Sequence, residues 1–245
     1  MVQYKAMTHI GSREVNEDSV GCFNSQGGYC FVVADGLGGH GSGEVASMKA
    51  VEVFEKEFLQ APKDNGSFLS SAFTNAQTEI MKLQKEKRDR LGLKTTAVCL
   101  SIMDGRCMWG HVGDSRLYLF KKNKVAARTL DHSVPQMLVL AGEIKEKHIS
   151  NHPDRNRLLR AMGVEWDSPR YELSDEVPVS DCQAFLLCTD GFWELIEPKQ
   201  MCRFLKKSKN AENWLELMAS EVEKNGRGKD MDNYTAVSVV FKETP

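Results

Sequence analysis

The alternating pattern of residues 95–129 constrains the fold of this 245-residue chain more than any other feature. The run TTAVCLSIMDGRCMWGHVGDSRLYLFKKNKVAART is rich in residues that favour β-strands, and its apolar residues alternate with others. Asp104–Gly105 is a two-residue hairpin signal, and Lys122–Asn123 or its neighbours should turn the next pair of strands. Because strands joined by such short turns run antiparallel, this segment predicts an antiparallel sheet.

The rest of the chain supplies further strands and blocks of helices. GCFNSQGGYCFVVAD predicts a hairpin that turns at SQGG, and AFLLCTD and DNYTAVSVVFK predict two more strands. Loop with short helices is expected from Ser133 to Gly163. Helical spacing of apolar residues predicts helices from Glu44 to about Gln60, from an N-cap at Ser67 to about Arg90, and twice within 197–225. The pattern indicates an α+β fold in a single domain over residues 1–245.

Charge and cysteine usage exclude several classes of function. The 32 Lys and Arg residues nearly balance 34 Asp and Glu residues, so no nucleic-acid-binding surface is expected. No stretch approaches the roughly 18 apolar residues of a membrane helix, and the N-terminus has no signal-peptide pattern. The seven cysteines include no CxxC pair, which favours buried, reduced thiols over a zinc site. A cytoplasmic protein without membrane partners is expected.

Acidic residues recur where predicted strands end next to glycine or a turn. A single carboxylate in such a place is usually a turn-former that bonds its own backbone, but this explanation is weaker for five separate clusters. Carboxylates that converge at one sheet edge would repel each other without a cation. Oxygen-only ligands select Mg²⁺ or Mn²⁺, and two such ions ~3.5–4 Å apart can activate water against a phosphoryl group. The acidic residues are Glu17, Asp18, Asp35, Asp114, Asp190 and Asp232.

A glycine-rich stretch, FVVADGLGGHGSGEVAS, follows Asp35 directly. It contains neither a Walker A loop nor GxGxxG, so a phosphate cradle is not supported. Lacking a side chain, Gly36 can bring its carbonyl oxygen to a metal beside Asp35. Gly38, Gly39 and Gly41 are interpreted as allowing the turn that leads the chain away.

Eight motifs along the chain together resemble one family. They occur in the order seen in the metal-dependent Ser/Thr protein phosphatases of type 2C (the PPM family), in their compact bacterial form. The resemblance extends from Thr8 to about Val240. Any one motif is weak, but eight in the same order make chance resemblance very improbable. The motifs are SREVNEDSV, VADGLGGHGSGEVAS, LKTTAV, HVGDSRLYL, DHS, HPDRNRLLRAMG, CTDGFWE and DNYTAV.

The resemblance implies an α-β-β-α sandwich of two antiparallel β-sheets flanked by helices, with the metal site at one end of the sandwich. It also implies a role for each acidic position. Asp35 resembles the carboxylate that bridges two ions, and Gly36 resembles the backbone-carbonyl ligand. Asp190 and Asp232 match ligands of the first ion, and Glu17 or Asp18 matches the ligand of the second. Asp114, with Asp190, resembles the pair that holds a weaker third ion.

The resemblance also bears on four other features, in one of which the sequence departs from the animal enzymes. Arg13 corresponds to the arginine that grips substrate phosphate, a role that suits a bidentate guanidinium. Animal enzymes read DGH, whereas here Leu37 occupies that place and the histidine is His40. Two roles for His40 stay open: it shuttles a proton, or it only bonds a water at the metals. His132 of DHS is expected to be structural, and residues 142–165 correspond to a mobile flap.

The implied function is metal-dependent hydrolysis of phosphoserine and phosphothreonine in proteins by activated water, with Mn²⁺ or Mg²⁺. The CX₅R arrangement of cysteine-dependent phosphatases is missing, because TDGFWE follows Cys188. Expected partners are signalling phosphoproteins, including a eukaryotic-like Ser/Thr kinase and its targets, and the chain is expected to be a monomer. Two alternatives are a phosphatase restricted to one regulatory partner of the anti-anti-sigma type and a non-catalytic phospho-binding module. Loss of acidic residues would indicate the second, and none has been lost.

Overall fold

Two antiparallel sheets with helices on both outer faces make up the protein in a computed structural model, which describes residues 1–25, 27–38, 42–60, 62–87 and 92–242. Two short 3₁₀ helices, Glu146–His148 and Val179–Asp181, accompany the main elements. The strands are β1 (Val2–His9), β2 (Asp18–Ser25), β3 (Gly28–Leu37), β4 (Lys94–Thr95), β5 (Ala97–Met103), β6 (Arg106–Val112), β7 (Arg116–Lys121), β8 (Lys124–Arg128), β9 (Glu172–Leu173), β10 (Val177–Pro178), β11 (Ala184–Cys188) and β12 (Tyr234–Phe241). The helices are α1 (Ser42–Leu59), α2 (Asn65–Lys87), α3 (Val134–Leu140), α4 (Asp190–Trp193), α5 (Pro198–Lys207) and α6 (Ala211–Gly226).

In one sheet, strands from the two ends of the chain pair with each other and lie beside strands from its middle. One sheet has the order β1-β12-β11-β7-β8, and the other has the order β10-β6-β5-β3-β2, with β4 beside β3 and β9 beside β6. Every pairing is antiparallel. The predicted α+β class is therefore confirmed.

Strand β3 shows why the strands are apolar on both faces. Cys30 and Val32 belong to a core formed with α1 and α2, whereas Phe31 and Val33 belong to the core between the two sheets. A third core lies between the other sheet and helices α4 to α6. Because the sheet is covered on both faces, its central strands carry continuous apolar runs rather than strict alternation.

Two of the three predicted hairpin turns are confirmed in full. The third hairpin is formed by β2 and β3, whose register pairs Ser25 with Gly28, and Gln26 of its turn lies outside the described residues. Asp104 and Gly105 join β5 to β6 with φ angles of 49° and 71°, and Lys122 and Asn123 join β7 to β8 with φ angles of 50° and 58°. Positive φ at both central residues is the geometry of a type I′ turn, whose twist matches that of the flanking strands.

Some element boundaries differ from the prediction. Helix α1 begins at Ser42 rather than Glu44, and α2 begins at Asn65 because the Asp64 carboxylate accepts the Ser67 backbone N–H at 2.7 Å. Asp64, and not Ser67, therefore supplies the capping oxygen. The predicted end of this helix at Arg90 lies outside the described residues. Strand β1 was not predicted, because half of its positions are exposed and its partner is the distant β12.

Helix length and hydropathy bear on the predicted absence of membrane spans. Within the described ranges, no helix combines the length and apolar character needed to cross a bilayer.

Candidate metal and phosphate site

Strand ends bring the predicted acidic residues together at one end of the sandwich. Asp35 of β3 lies directly opposite Asp18 of β2. Asp114 follows β6, Asp190 begins α4 after β11, and Asp232 precedes β12. Burial raises the pKa of Asp35 well above its ordinary value, and the charges of the other four carboxylates raise it further. Residues up to 214 positions apart in the sequence thus share one electrostatic environment.

A cavity of about 570 Å³ opens among these carboxylates. It adjoins a larger groove of about 1570 Å³, and the two share Arg13, Asn156, Asp190 and Asp232 as lining residues. The site therefore continues into a space large enough for an extended peptide segment. The smaller cavity is lined by Arg13, Glu14, Val15, Glu17, Asp35, Gly36, Leu37, Gly38, Asp114, Asn156, Leu158, Asp190, Asp232 and Asn233.

Glu17 and Asp18 occupy different places. Glu17 lines the cavity, and its backbone N–H donates to the Asn233 side-chain oxygen at 2.8 Å. Asp18 is buried beneath the cavity, where its Oδ2 accepts the Thr189 hydroxyl at 2.9 Å. Burial raises the pKa of Asp18 to about 7. Consecutive side chains on extended backbone point to opposite sides, which explains the separation.

The donor set fits hard divalent cations. Burial, followed by the charge of Asp232, raises the pKa of Asp190 to about 6, and burial followed by Asp190 raises the pKa of Asp114. In the part of the chain that the structure describes, no basic side chain forms an ion pair with Asp18, Asp35, Asp114 or Asp190, whereas Asp232 pairs with Arg13. Buried, unpaired carboxylates are costly, and a cation bound among them offsets this cost. Oxygen-only donors suit Mg²⁺ or Mn²⁺.

The glycines beside Asp35 are required by close backbone packing. A Cβ at Gly36 would lie 2.3 Å from the carbonyl group of Gly43 and 2.5 Å from the Glu17 carbonyl oxygen. A Cβ at Gly38 would lie 2.3 Å from the Gly92 carbonyl oxygen, and Gly38 does not have a positive φ. Gly38 is therefore constrained by the close approach of another segment, and its interpretation as a turn residue stays a prediction. Gly39, His40 and Gly41 lie outside the described residues.

Arg13 is held at the mouth of the cavity. Its Nε and Nη2 donate to the two carboxylate oxygens of Asp232 at 3.0 and 2.8 Å, and both side chains are about half exposed. The Asn233 side-chain amide donates to the carbonyl oxygens of Ile10 and Val15, which fixes the loop that carries Arg13. Asn233 belongs to the DNYTAV motif, but no local pattern indicates its hydrogen bond to Val15, 218 positions away.

A buried network behind Asp114 was also missed. The Trp193 indole N–H donates to the Asp114 carbonyl oxygen at 3.0 Å. The Arg116 guanidinium lies 3.3 Å above the Trp193 ring and forms a bidentate ion pair with Asp131 at 2.7 and 2.6 Å. Arg116 belongs to the GDSR motif and Asp131 to DHS, so these motifs carry structural supports as well as the predicted ligand.

The segment predicted as a flap borders the site. Asn156 and Leu158 line the smaller cavity, and Arg155 lies 3.6 Å from Glu194 across the groove. Much of residues 142–165 is loop, with one 3₁₀ turn at Glu146–His148. The segment therefore borders both the smaller cavity and the larger groove.

Comparisons with known proteins agree with this architecture. The family model described as Protein phosphatase 2C matches residues 7–233. The serine/threonine phosphatase stp of Listeria monocytogenes is 31% identical over 234 residues, covering 93% of this chain and 90% of that protein. The crystal structure of Stp1 from Staphylococcus aureus superposes with a TM-score of 0.89 at 25% identity, covering 99% of this chain and 96% of that one.

A further structural relative contains metal. The catalytic domain of PstP in complex with two manganese ions superposes with a TM-score of 0.78 at 26% identity, covering 98% of this chain and 97% of that one. The predicted family, bacterial form and phosphoprotein phosphatase activity are confirmed, and neither alternative function is favoured. The chain belongs to the protein phosphatase 2C family, the metal-dependent serine/threonine protein phosphatases.

Proposed function

We propose that residues 1–245 form one catalytic domain that hydrolyses phosphoserine and phosphothreonine in proteins at the cavity between Glu17, Asp35 and Asp190. One observation carries the proposal. Carboxylates from distant strands converge on a single cavity that has an arginine at its mouth and a long groove beside it. This arrangement supplies oxygen ligands for cations, a cationic group for phosphate and space for a polypeptide.

The carboxylates divide into three groups. Asp35 would be shared by two Mn²⁺ or Mg²⁺ ions, and Asp190 and Asp232 would hold the first of them. Glu17, which lines the cavity, would hold the second ion with the Gly36 carbonyl, while Asp18 would support the site through Thr189. Asp114, which lines the cavity with Asp190, would hold a weaker third ion. Bound cations lower the pKa of water and neutralise charge on phosphoryl oxygens.

The chain's own groups bind and orient the substrate. Arg13 turns from Asp232 toward the phosphate, because a guanidinium can offer paired N–H donors to either partner. Asn233 holds the loop of Arg13, which limits how far the guanidinium moves. The flap 142–165 contacts the polypeptide around the phosphorylated residue. His40 remains the candidate proton donor to the leaving hydroxyl.

The proposed substrates are signalling phosphoproteins, including a eukaryotic-like Ser/Thr kinase and its targets, and the proposed state is a monomer. The cytoplasm is the proposed compartment, and seven free cysteines support a reducing environment.

Removal of divalent metal is expected to eliminate hydrolysis of para-nitrophenyl phosphate and of a phosphothreonine peptide. The reason is that the lining of the smaller cavity, among the described residues, includes no thiol or imidazole, so a cation held by its oxygen atoms would activate the water. The measurement compares the hydrolysis rate of EDTA-treated enzyme with that of the same enzyme after addition of Mn²⁺ or Mg²⁺. Zn²⁺ and Ca²⁺ are tested in the same way, as ions that prefer other ligands or coordination geometries. EDTA-treated enzyme that retains most of its turnover would refute the proposal.

Replacing Arg13 with alanine is expected to lower kcat/KM roughly ten- to a hundredfold, because a charge-assisted contact of ~1.5–3 kcal/mol to phosphate is lost. Mn²⁺ affinity should stay equal or increase, since the variant also removes a cation from Asp232. Steady-state kinetics and Mn²⁺ titration calorimetry measure the two effects separately.

The matched control is Lys5→Ala, which removes an exposed ion pair between edge strand β1 and Glu212, and neither residue lines the cavity or the groove. This control should leave both quantities unchanged. A normal kcat/KM for Arg13→Ala, together with weaker Mn²⁺ binding, would assign Arg13 to support of the metal site instead.

A further inference from the structure

A buried histidine lies behind the turn that carries Asp114. His132 Nδ1 accepts the backbone N–H of Gly113 at 3.1 Å, and the His132 backbone N–H donates to the Gly113 carbonyl oxygen at 2.9 Å. On its other side, His132 Nε2 lies 3.1 Å from the Glu172 carboxylate. The ring stacks on His111 with a centroid distance of 4.5 Å. His132 thus connects β9 with the residue immediately before Asp114.

The hydrogen bonds fix the tautomer of His132. Because Nδ1 accepts a backbone N–H, it carries a lone pair, and the proton of the neutral ring is on Nε2. That N–H donates to Glu172. Burial lowers the pKa of His132 to about 4, so the ring is neutral at physiological pH.

The same tautomer argues against a metal at this cluster. The ligand atoms of His111, His132 and Glu172 lie within 4.8 Å of one another, which is close enough to share a cation. However, Nε2 of His132 is protonated and cannot ligate. The Arg160 guanidinium also approaches to 2.8 Å from Glu172 and 3.3 Å from His132. A cationic side chain therefore already occupies this position.

The Gly113 turn needs such support. Gly113 has a φ angle of 99°, and a Cβ there would lie 2.5 Å from the Thr96 side chain. Its backbone N–H is buried, so the loss of its acceptor would leave an unsatisfied donor. Small rotations of this residue would move the Asp114 carboxylate relative to Asp190, which lines the same cavity.

We infer that His132 is a positioning residue for catalysis. Through Nδ1 it holds the Gly113 N–H and with it the orientation of Asp114, and Glu172 keeps the ring in the required tautomer. This inference rests on the proposed role of Asp114 as a metal ligand. It assigns a function to the histidine of the DHS motif, which the sequence indicated as structural only.

Two variants separate the two faces of the ring. In His132→Asn, Oδ1 occupies the place of Nδ1 and still accepts from Gly113, but contact with Glu172 is lost. In His132→Gln, an amide N–H occupies the place of Nε2 and still reaches Glu172, but no acceptor faces Gly113. We expect His132→Gln to lower kcat about tenfold with an unchanged KM, and to raise the Mn²⁺ concentration for half-maximal rate. His132→Asn should stay close to wild type.

Two readouts are independent of turnover. The Gly113 amide, followed by ¹⁵N NMR and hydrogen exchange, should exchange about tenfold faster in His132→Gln, the loss expected for a bond of ~1.4 kcal/mol. Mn²⁺ calorimetry should show the weaker binding component diminished in that variant alone. Glu172→Ala, a change at a half-exposed residue that should not unfold the chain, is expected to shift part of the His132 population to the Nδ1–H tautomer.

The outcomes are decisive. Equal losses in both variants with an unchanged Gly113 amide, or a larger loss in His132→Asn, would overturn the inference and leave His132 a packing residue. Binding of Zn²⁺ that requires His132 and Glu172 would also overturn it. Wild-type enzyme without Mn²⁺-dependent hydrolysis would contradict the proposed function instead, while the Gly113 amide would still test the histidine.

Discussion

Asp35→Asn and Asp190→Asn are each expected to abolish hydrolysis while the fold persists. Both side chains line the cavity, and an amide offers a metal a neutral oxygen in place of a charged one. The measurement is kcat with para-nitrophenyl phosphate at saturating Mn²⁺. Asp167→Asn is the matched control, because this carboxylate is fully exposed outside the site. If either variant kept more than roughly a tenth of wild-type kcat, the activation free energy would have risen by less than ~1.4 kcal/mol, and the replaced aspartate would not be a metal ligand.

The same Asp190→Asn substitution should leave the metal-free protein as stable as wild type, or more stable, at pH 8. Asp has an ordinary pKa of 3.8, and burial raises that of Asp190 to about 6 and that of Asp18 to about 7. The folded state therefore binds protons that the unfolded state has released. This contribution to stability is complete below pH 3.8 and is lost as the pH rises through 6 and 7.

Thermal unfolding in EDTA at pH 5 and pH 8 measures this effect. The contribution of the carboxylate cluster should lower the melting temperature of wild type between the two pH values, and the decrease should be smaller in Asp190→Asn. A melting temperature for metal-free Asp190→Asn well below wild type at pH 8 would show that the carboxylates do not repel each other in the folded state.

Local chemistry accounts for what could be predicted from sequence. The turns at Asp104–Gly105 and Lys122–Asn123 each depend on two adjacent residues with positive φ, and this local geometry determines where the two hairpins turn. The apolar runs of the central strands are equally visible. Asp35, Asp114 and Asp190 lie near the ends of predicted strands, and the antiparallel order of these strands brings them to one edge of the sandwich.

Contacts between distant segments could not be predicted in the same way. Strand β1 is half exposed and depends on β12, which lies more than 220 residues away. Asn233 has no local pattern that indicates its bonds to Ile10 and Val15. A glycine at position 36 indicated that the backbone there has an unusual requirement, but only the tertiary structure shows that Gly43 packs closely against it. Amino-acid type thus indicates that a constraint exists, and tertiary structure identifies the group that imposes it.

Asp131→Ala is expected to lower the free energy of unfolding by ~3–5 kcal/mol, the usual cost of breaking a buried ion pair by removing one partner. The side chains of Asp131 and Arg116 are 1% and 6% exposed, and Arg128 also donates to Asp131 at 3.2 Å. The variant therefore leaves the buried guanidinium of Arg116 without a carboxylate partner, while Arg128 keeps its ion pair with Glu146 at 2.8 Å. Denaturant unfolding measures the loss, and the melting temperature should fall by roughly 6–20 °C.

Asp181→Ala is the control, because its pair with Lys121 is long and exposed, so a change within ~0.5 kcal/mol is expected.

The network around Asp131 also predicts that its two partners differ in cost when they are replaced. Arg116→Met should cost less than Asp131→Ala, since Asp131 keeps Arg128 as a partner. In the double variant Arg116→Met, Asp131→Leu, stability should recover relative to Asp131→Ala, because the unpaired charge of Arg116 is gone and Arg128 keeps Glu146. Additive losses in the double variant would mean that Arg116 and Asp131 do not act as a pair.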